Sequence, residues 1–104
     1  MNVVSLIKNA DKTLGSTVTV SGVVDRPRKK HSSYVFFNLV EDDQLVQVVV
    51  KEDLVGKEHF KDMTYGLIHK QTATVTGTFN LRSSDRADFA KYEITAENII
   101  KEKK

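Results

Sequence analysis

Two strand-forming runs joined by a short acidic segment constrain this chain more than any other feature. Residues 33–40 (SYVFFNLV) and 44–50 (QLVQVVV) hold β-branched, aromatic and aliphatic residues and no glycine or proline. Such a composition is typical of β-strands. Residues 41–43 (EDD) join the runs, and a polar connection of this length predicts a hairpin.

Alternation gives the hairpin two faces. The apolar sets predicted to face the core are Val35, Phe37 and Leu39 in the first strand and Val46, Val48 and Val50 in the second. Phe36 and Gln47 then lie on the outer face, as do Tyr34, Leu45 and Val49. An exposed ring can stack on a nucleic-acid base, and an amide can donate to and accept from a base edge. The alternative is an outer aromatic ring that a helix or loop simply covers.

Length and composition indicate one folded domain spanning residues 1–104. The absence of cysteine excludes disulfides, a thiol nucleophile and a cysteine-based metal site. No apolar run is long enough to span a membrane, and the first residues lack the order of a signal peptide. A cytoplasmic location without membrane contact is therefore expected. The net charge of +2 is too small to identify a partner.

The remaining segments alternate between strand, helix and loop patterns. We expect a short helix at about residues 2–10, a strand at 17–24, a basic loop at 25–31, an interrupted helix within 51–70, a strand at 72–79, a polar loop at 80–88, a strand beginning at 92 and a charged tail at 101–104. Gly22 and Gly77 are expected to mark bends in their strands, and Pro27 is expected to end the first one.

This order predicts an all-β chain with one or two helices, folded as a five-stranded OB-fold barrel with a helix between the third and fourth strands. In that fold the second and third strands face the ligand. Phe36 and Gln47 lie on those two strands. Single-stranded nucleic acid is therefore the favoured partner, although OB barrels also bind oligosaccharides and proteins.

Four segments, taken in order, resemble a known family. They are residues 15–26, 35–39, 46–49 and 75–78. Together they resemble the N-terminal anticodon-binding domain of class II aspartyl-, asparaginyl- and lysyl-tRNA synthetases, over about residues 14–100. The sequence departs from that pattern at Val40, where the family usually has arginine, and at Val23, where it usually has tryptophan.

The resemblance implies a binding site made of named residues. It implies that Phe36 stacks on the central anticodon base, a uridine, and that Gln47 hydrogen-bonds it. It implies that Glu93 reads the first anticodon base. It implies that Arg28 contacts the same region and that Arg82 also belongs to the site. Apart from the resemblance, a basic run next to Phe36 favours an edge that follows phosphates, although such a run can also be a solvated loop. Arg28, Lys29, Lys30 and Arg82 are therefore assigned to phosphates or loop bases. We expect no catalytic residues and no cofactor. We also expect no metal site, because His31, His59 and His69 lack metal-type spacing with carboxylates.

The resemblance also implies that the catalytic domain would follow residue 104. We therefore expect no aminoacylation from this chain alone, whether it is an excised domain or a free-standing relative. Two other functions stay open. One is general single-stranded RNA or DNA binding without anticodon preference. The other is a protein-interaction module, with Phe36 and Tyr34 anchoring a partner or a second copy of the chain.

Overall fold

Strands dominate the described part of the chain. The computed structural model describes residues 1–82 and 91–102. The helices are α1 (Val3–Lys8), α2 (Ala10–Thr13), α3 (Glu52–Val55) and α4 (Lys57–Thr64). The strands are β1 (Thr17–His31), β2 (Tyr34–Glu41), β3 (Gln44–Lys51), β4 (Thr72–Leu81) and β5 (Tyr92–Lys101). Among these residues, no helix has the length and apolar character needed to cross a membrane.

The five strands close into a barrel in the order β1-β2-β3-β5-β4. Neighbouring strands pair antiparallel, except for β3 and β5, which run parallel. The helices α3 and α4 connect β3 to β4. This arrangement confirms the predicted five-stranded OB-fold barrel with helix between the third and fourth strands.

The inner face of the barrel forms the core. All six hairpin residues predicted to face inward are at most 4% exposed. Buried side chains of α1 (Val3 and Leu6) and α4 (Phe60 and Met63) pack into the same core. Burial of one such apolar side chain stabilises a fold by about 1.5–3 kcal/mol. A hairpin turned the other way would expose all six, so burial of the inner face determines which way the hairpin residues point.

β1 is longer than its composition predicts, and the predicted loop at 25–31 is wrong. The strand continues to His31 and pairs with β2 on both sides of a bulge between Asp25 and Arg28. Arg26 adopts a φ of +50° inside this bulge. Since a bulge leaves a residue unpaired, the missing N–H of Pro27 is tolerated there and does not end the strand.

Gly22, which we expected at a bend in β1, lies at no register shift. Its pairing with β4 is continuous. A Cβ at this position would come within 2.9 Å of the Leu39 side chain and 3.0 Å of the Val3 side chain. Gly22 is therefore required by the close approach of α1 and β2.

Gly77 does lie at an irregularity. The register of β4 with β5 shifts between Thr76 and Gly77. A Cβ on Gly77 would lie 2.1 Å from the carbonyl oxygen of Thr95. Only glycine fits at this point, since real Cβ atoms do not approach an oxygen so closely.

The predicted N-terminal helix is divided at Asn9 into α1 and α2. The Asn2 side chain caps α1 by accepting from the Ser5 N–H at 2.8 Å. The Glu41 carboxylate accepts from the Val4 N–H at 3.0 Å. One acidic residue of the hairpin connection therefore holds the N-terminus of α1, where negative charge is favourable.

Lys101, near the end of the described residues, is hydrogen-bonded to α4 and to the residue that follows it. β5 includes this residue, which we predicted to begin a tail, and residues 103–104 lie outside the described residues. The Lys101 ammonium donates to the carbonyl oxygens of Asp62 at 2.8 Å and Met63 at 3.3 Å, and also to that of Tyr65. Burial lowers the pKa of Lys101, and Asp62 opposes that shift.

Candidate nucleic-acid interface

The outer face of the barrel brings four of the predicted site residues together. Arg28 pairs with Phe36, which pairs in turn with Val49. Gln47 pairs with Glu93 across the parallel junction of β3 and β5. Because cross-strand partners project to the same face of a sheet, Arg28, Phe36, Gln47 and Glu93 form one surface. We call these four residues the outer-face cluster.

Phe36 and Gln47 are diagonal neighbours. Val49 is directly opposite Phe36, and Gln47 precedes Val49 by two residues on the same strand. Diagonal neighbours in an antiparallel pair lie about 7–8 Å apart. Both side chains are half-buried. One planar base stacked on the ring can therefore present its edge to the amide.

The bulge in β1 places Arg28 on the outer face. Val24 is fully buried in the core, so uninterrupted alternation would also turn Arg26 and Arg28 inward. The extra residue in the bulge reverses that order, because a shift of one residue exchanges the two faces. Arg28 is exposed and paired with Phe36 as a result.

The loop before β4 supports this bulge. The Arg26 N–H donates to His69 Nδ1 at 3.1 Å. The Lys70 N–H donates to the Val24 carbonyl at 2.7 Å, and the Val24 N–H donates to the Gln71 carbonyl at 2.8 Å. The first bond satisfies an N–H inside the bulge, and the other two hold Val24, which precedes the bulge, against the same loop.

Lys29 does not join the outer-face cluster. Lys29 pairs with the buried Val35 and so projects to the other side of β1. It lines a small concavity there with Val35 and Leu67. Lys30 falls between two register pairs of β1 with β2, and its side chain lies outside the described residues.

Arg82 lies where β4 and β5 meet. Its N–H donates to the Lys91 carbonyl at 3.0 Å. Burial raises the pKa of the Tyr34 hydroxyl, the Glu93 carboxylate raises it further, and the Arg82 guanidinium opposes the shift. Arg82 directly follows Leu81, which pairs with Tyr92, the neighbour of Glu93. Arg82 therefore lies beside the outer-face cluster.

Three rings follow one another along this face. The ring centroids of His31 and Tyr34 are 5.8 Å apart, and those of Tyr34 and Phe36 are 6.3 Å apart. The Lys51 ammonium lies 6.0 Å from the Tyr34 ring centroid. We call His31, Tyr34 and Phe36 the aromatic row. Val49 is fully buried although it belongs to this outer face.

Sequence patterns did not predict His31 and Lys51 as members of this surface. His31 was assigned to a loop, and Lys51 to the segment containing the helix. Lys51 follows Gln47 by four residues, so continued alternation along β3 was the signal that could have found it. For His31 no such signal exists, because two register shifts in β1 precede it.

A separate concavity of about 720 Å³ lies near the hairpin turn. Val23, Val40 and Leu45 form part of its wall, together with Asp42 and Lys70. None of the predicted site residues in the described part of the chain lines it. The candidate interface is instead an open sheet face, a shape that suits a strand of nucleic acid lying across it.

Comparison of the sequence with protein-family models and with curated proteins gives no match. The fold does match solved structures. Asparaginyl-tRNA synthetase from Pyrococcus horikoshii, complexed with asparaginyl-adenylate, matches at 21% identity and a TM-score of 0.67, covering 86% of this chain and 20% of that chain. A protein assigned as an aspartyl-tRNA synthetase from Leishmania major Friedlin matches at 16% identity and a TM-score of 0.81, covering 97% of this chain and 20% of that one.

A third match is an OBody bound to hen egg-white lysozyme. It shows 17% identity and a TM-score of 0.72, covering 86% of this chain and 84% of that chain. The chain spans about 20% of the length of the two synthetases. At the level of the fold, the similarity to aspartyl- and asparaginyl-tRNA synthetases expected from the sequence is confirmed: the chain has the OB-fold barrel found in one part of those enzymes.

Proposed function

We propose that this chain binds the anticodon loop of a tRNA through its outer-face cluster. The observation that carries this proposal is the diagonal placement of Phe36 and Gln47, with Glu93 opposite Gln47. The fold shared with the two synthetases supports tRNA as the class of partner. Residues 1–104 act in this proposal as one binding unit, and no catalytic step is assigned to them.

Phe36 provides the stacking contact. Stacking of a base on an aromatic ring contributes about 1–3 kcal/mol to binding. The half-buried position of Phe36 keeps part of its ring accessible. A base must leave its own stack to reach the ring, and loop bases do so at low cost.

Gln47 provides base selectivity. An ionised carboxylate only accepts hydrogen bonds, so Glu93 favours an orientation of the Gln47 amide with its NH₂ group toward the carboxylate. The amide oxygen then faces the base, where it accepts from the N3–H of uridine. Cytidine has a lone pair at N3 where uridine has a hydrogen, so the amide would have to turn its NH₂ group away from Glu93 to bond at that position. A central uridine is therefore preferred.

The cations provide contacts that are less selective. Arg28 belongs to the outer-face cluster and Arg82 lies beside it, so both are assigned to phosphates or neighbouring loop bases. Lys29 and Lys30 contribute positive charge along β1. The carboxylate of Glu93 is assigned to the first anticodon base, whose donors it can accept.

Fluorescence anisotropy with two labelled anticodon stem-loop RNAs tests the proposal. One RNA carries uridine at the centre of the anticodon and the other carries cytidine there. Tighter binding of the uridine RNA is expected. Equal binding of both would contradict selective reading and leave a general single-strand binder. Absence of binding to both would contradict a nucleic-acid function and favour a protein partner.

A further inference from the structure

We propose that Tyr34 is a second base-stacking position, occupied by the nucleotide next to the one on Phe36. The inference rests on the proposed function, because it takes Phe36 as the first position. It also states the form of the ligand: a single strand with at least two adjacent bases unstacked from each other.

The spacing of the two rings is the first argument. Tyr34 and Phe36 are two residues apart on β2 and share its outer face, and their ring centroids are 6.3 Å apart. Stacked bases in a helical strand rise by about 3.4 Å. Two bases stacked on each other would therefore be too close together to occupy both rings. Adjacent bases that have separated can each lie on one ring, as in sheets that stack two or three bases.

Ring orientation is the second argument. The planes of Tyr34 and Phe36 are inclined at 58°, and those of His31 and Tyr34 at 48°. Neighbouring rings of the aromatic row therefore do not lie face to face. They meet as tilted pairs, a favourable aromatic arrangement in which neither ring covers the whole face of the other.

Charge around Tyr34 is the third argument. The Lys51 ammonium lies 6.0 Å from the ring centroid. Lys51 pairs with Tyr34 from β3, and the exposed His31 pairs with it from β1. A nucleotide whose base stacks on Tyr34 would bring its phosphate close to one of these groups. Lys51 supplies a positive charge for that phosphate.

A different role for Tyr34 has to be distinguished from stacking. Its hydroxyl interacts with the Glu93 carboxylate and with Arg82, so the side chain could act only by positioning Glu93. Stacking requires the ring, and positioning requires the hydroxyl. Tyr34→Phe keeps the ring and removes the hydroxyl, whereas Tyr34→Leu removes both.

The test measures anisotropy with the uridine stem-loop and with three versions of it that each lack one base. The missing base is the central uridine, its 5′ neighbour or its 3′ neighbour. The proteins are wild type, Tyr34→Leu, Tyr34→Phe and Phe36→Leu. Tyr65→Leu is the matched control, since Tyr65 is 81% exposed and follows α4, outside the outer-face cluster.

Tyr34→Leu is expected to lose roughly 10-fold in affinity for the complete RNA, the size of one stacking contact. The affinity of wild type is expected to fall by a similar factor when one of the two flanking bases is missing from the RNA. Removal of that same base should not lower the affinity of Tyr34→Leu further. Tyr34→Phe and Tyr65→Leu should bind like wild type. The measurement on wild type needs no variant to fold.

Two results would overturn the inference. One is that Tyr34→Leu remains as sensitive as wild type to both missing flanking bases. The other is that Tyr34→Phe loses as much affinity as Tyr34→Leu, which would assign Tyr34 to positioning. If, in either case, removal of the central uridine still weakens binding by wild type and not by Phe36→Leu, the proposed function stands. Only the second stacking position then fails. If removing the central base has no effect, the proposed function itself fails.

Discussion

Gln47 lies directly opposite Glu93 in the parallel pairing of β3 with β5. An amide that can donate and accept thus stands beside a group that only accepts when ionised. The pair also lies diagonally from Phe36, through the pairing of Phe36 with Val49. Stacking, selectivity and charge are therefore next to one another on one sheet face, and each can be tested separately.

Gln47→Ala should remove selectivity more than affinity. The lost hydrogen bond is worth about 0.5–1.5 kcal/mol, so the preference for the uridine over the cytidine stem-loop should fall close to unity. Anisotropy with both RNAs measures the change. Gln44→Ala is the control, because Gln44 is exposed at the start of the same strand and pairs with Glu41, away from Phe36. An undiminished preference in Gln47→Ala would show that another residue selects the base.

Phe36→Ala should weaken binding of the uridine stem-loop by about 1–3 kcal/mol, since the stacking surface is lost. The half-buried ring lies on the outer face and not in the core, so thermal unfolding should shift little. Tyr65→Ala, which also removes an exposed aromatic ring, should leave the affinity unchanged. Equal affinities of Phe36→Ala and wild type would contradict the site.

Arg28→Ala and Lys29→Ala should differ although the two residues are adjacent. Arg28 shares the outer face with Phe36, whereas Lys29 projects to the side of the buried Val35. Loss of one phosphate contact on a single strand reduces the slope of log K against log salt by about 0.7. We expect this reduction in Arg28→Ala, measured by titration at several salt concentrations, and a much smaller one in Lys29→Ala. The reverse order would mean that RNA approaches from the other side of β1.

Gly77→Ala should destabilise the barrel. Its Cβ would meet the Thr95 carbonyl oxygen at 2.1 Å, and relief requires a backbone shift of β5. Overpacking of this kind costs about 1–3 kcal/mol, which corresponds to a fall of roughly 4 °C or more in Tm. Thr78→Ala, on the same strand and half-buried, is the control and should change Tm less. A Tm of Gly77→Ala at or above that of wild type would contradict the close approach.

Glu93→Gln should lower the pKa of Tyr34 toward its ordinary value of 10.0, because the carboxylate is one of the groups that raise it. Absorbance of the phenolate during an alkaline titration measures the shift, and subtraction of the Tyr34→Phe titration assigns it. Burial, the larger cause, remains in Glu93→Gln, so the pKa should fall only in part. An unchanged titration curve would show that the Glu93 carboxylate does not affect the pKa of Tyr34.

The same raised pKa has a consequence for stability. Above pH 10.0 the unfolded chain loses the Tyr34 proton before the native state does. The stabilisation from Tyr34 is therefore complete below that pH and is lost as the pH rises through the raised pKa. Tyr34→Phe should show a smaller loss of stability over this range in denaturant unfolding.

The sequence by itself determined the two faces of the central hairpin. Alternation placed Val35, Phe37 and Leu39 inward and Phe36 and Gln47 outward, and the inward residues are buried. It succeeds there because β2 pairs with β3 without a register shift, so local period and tertiary face agree. Strand composition and order likewise determined the barrel.

Tertiary structure decided what surrounds that hairpin. The bulge before Arg28 reverses the faces of β1, and its bonds to the loop at His69 come from a distant part of the chain. Glu93 stands beside Gln47 only because β5 inserts next to β3 as the barrel closes. Local periodicity does not predict the reversed faces of β1, because one unpaired residue exchanges the faces of a strand. It does not predict the position of β5 next to β3 either, because the order of strands in a sheet depends on contacts far apart in sequence.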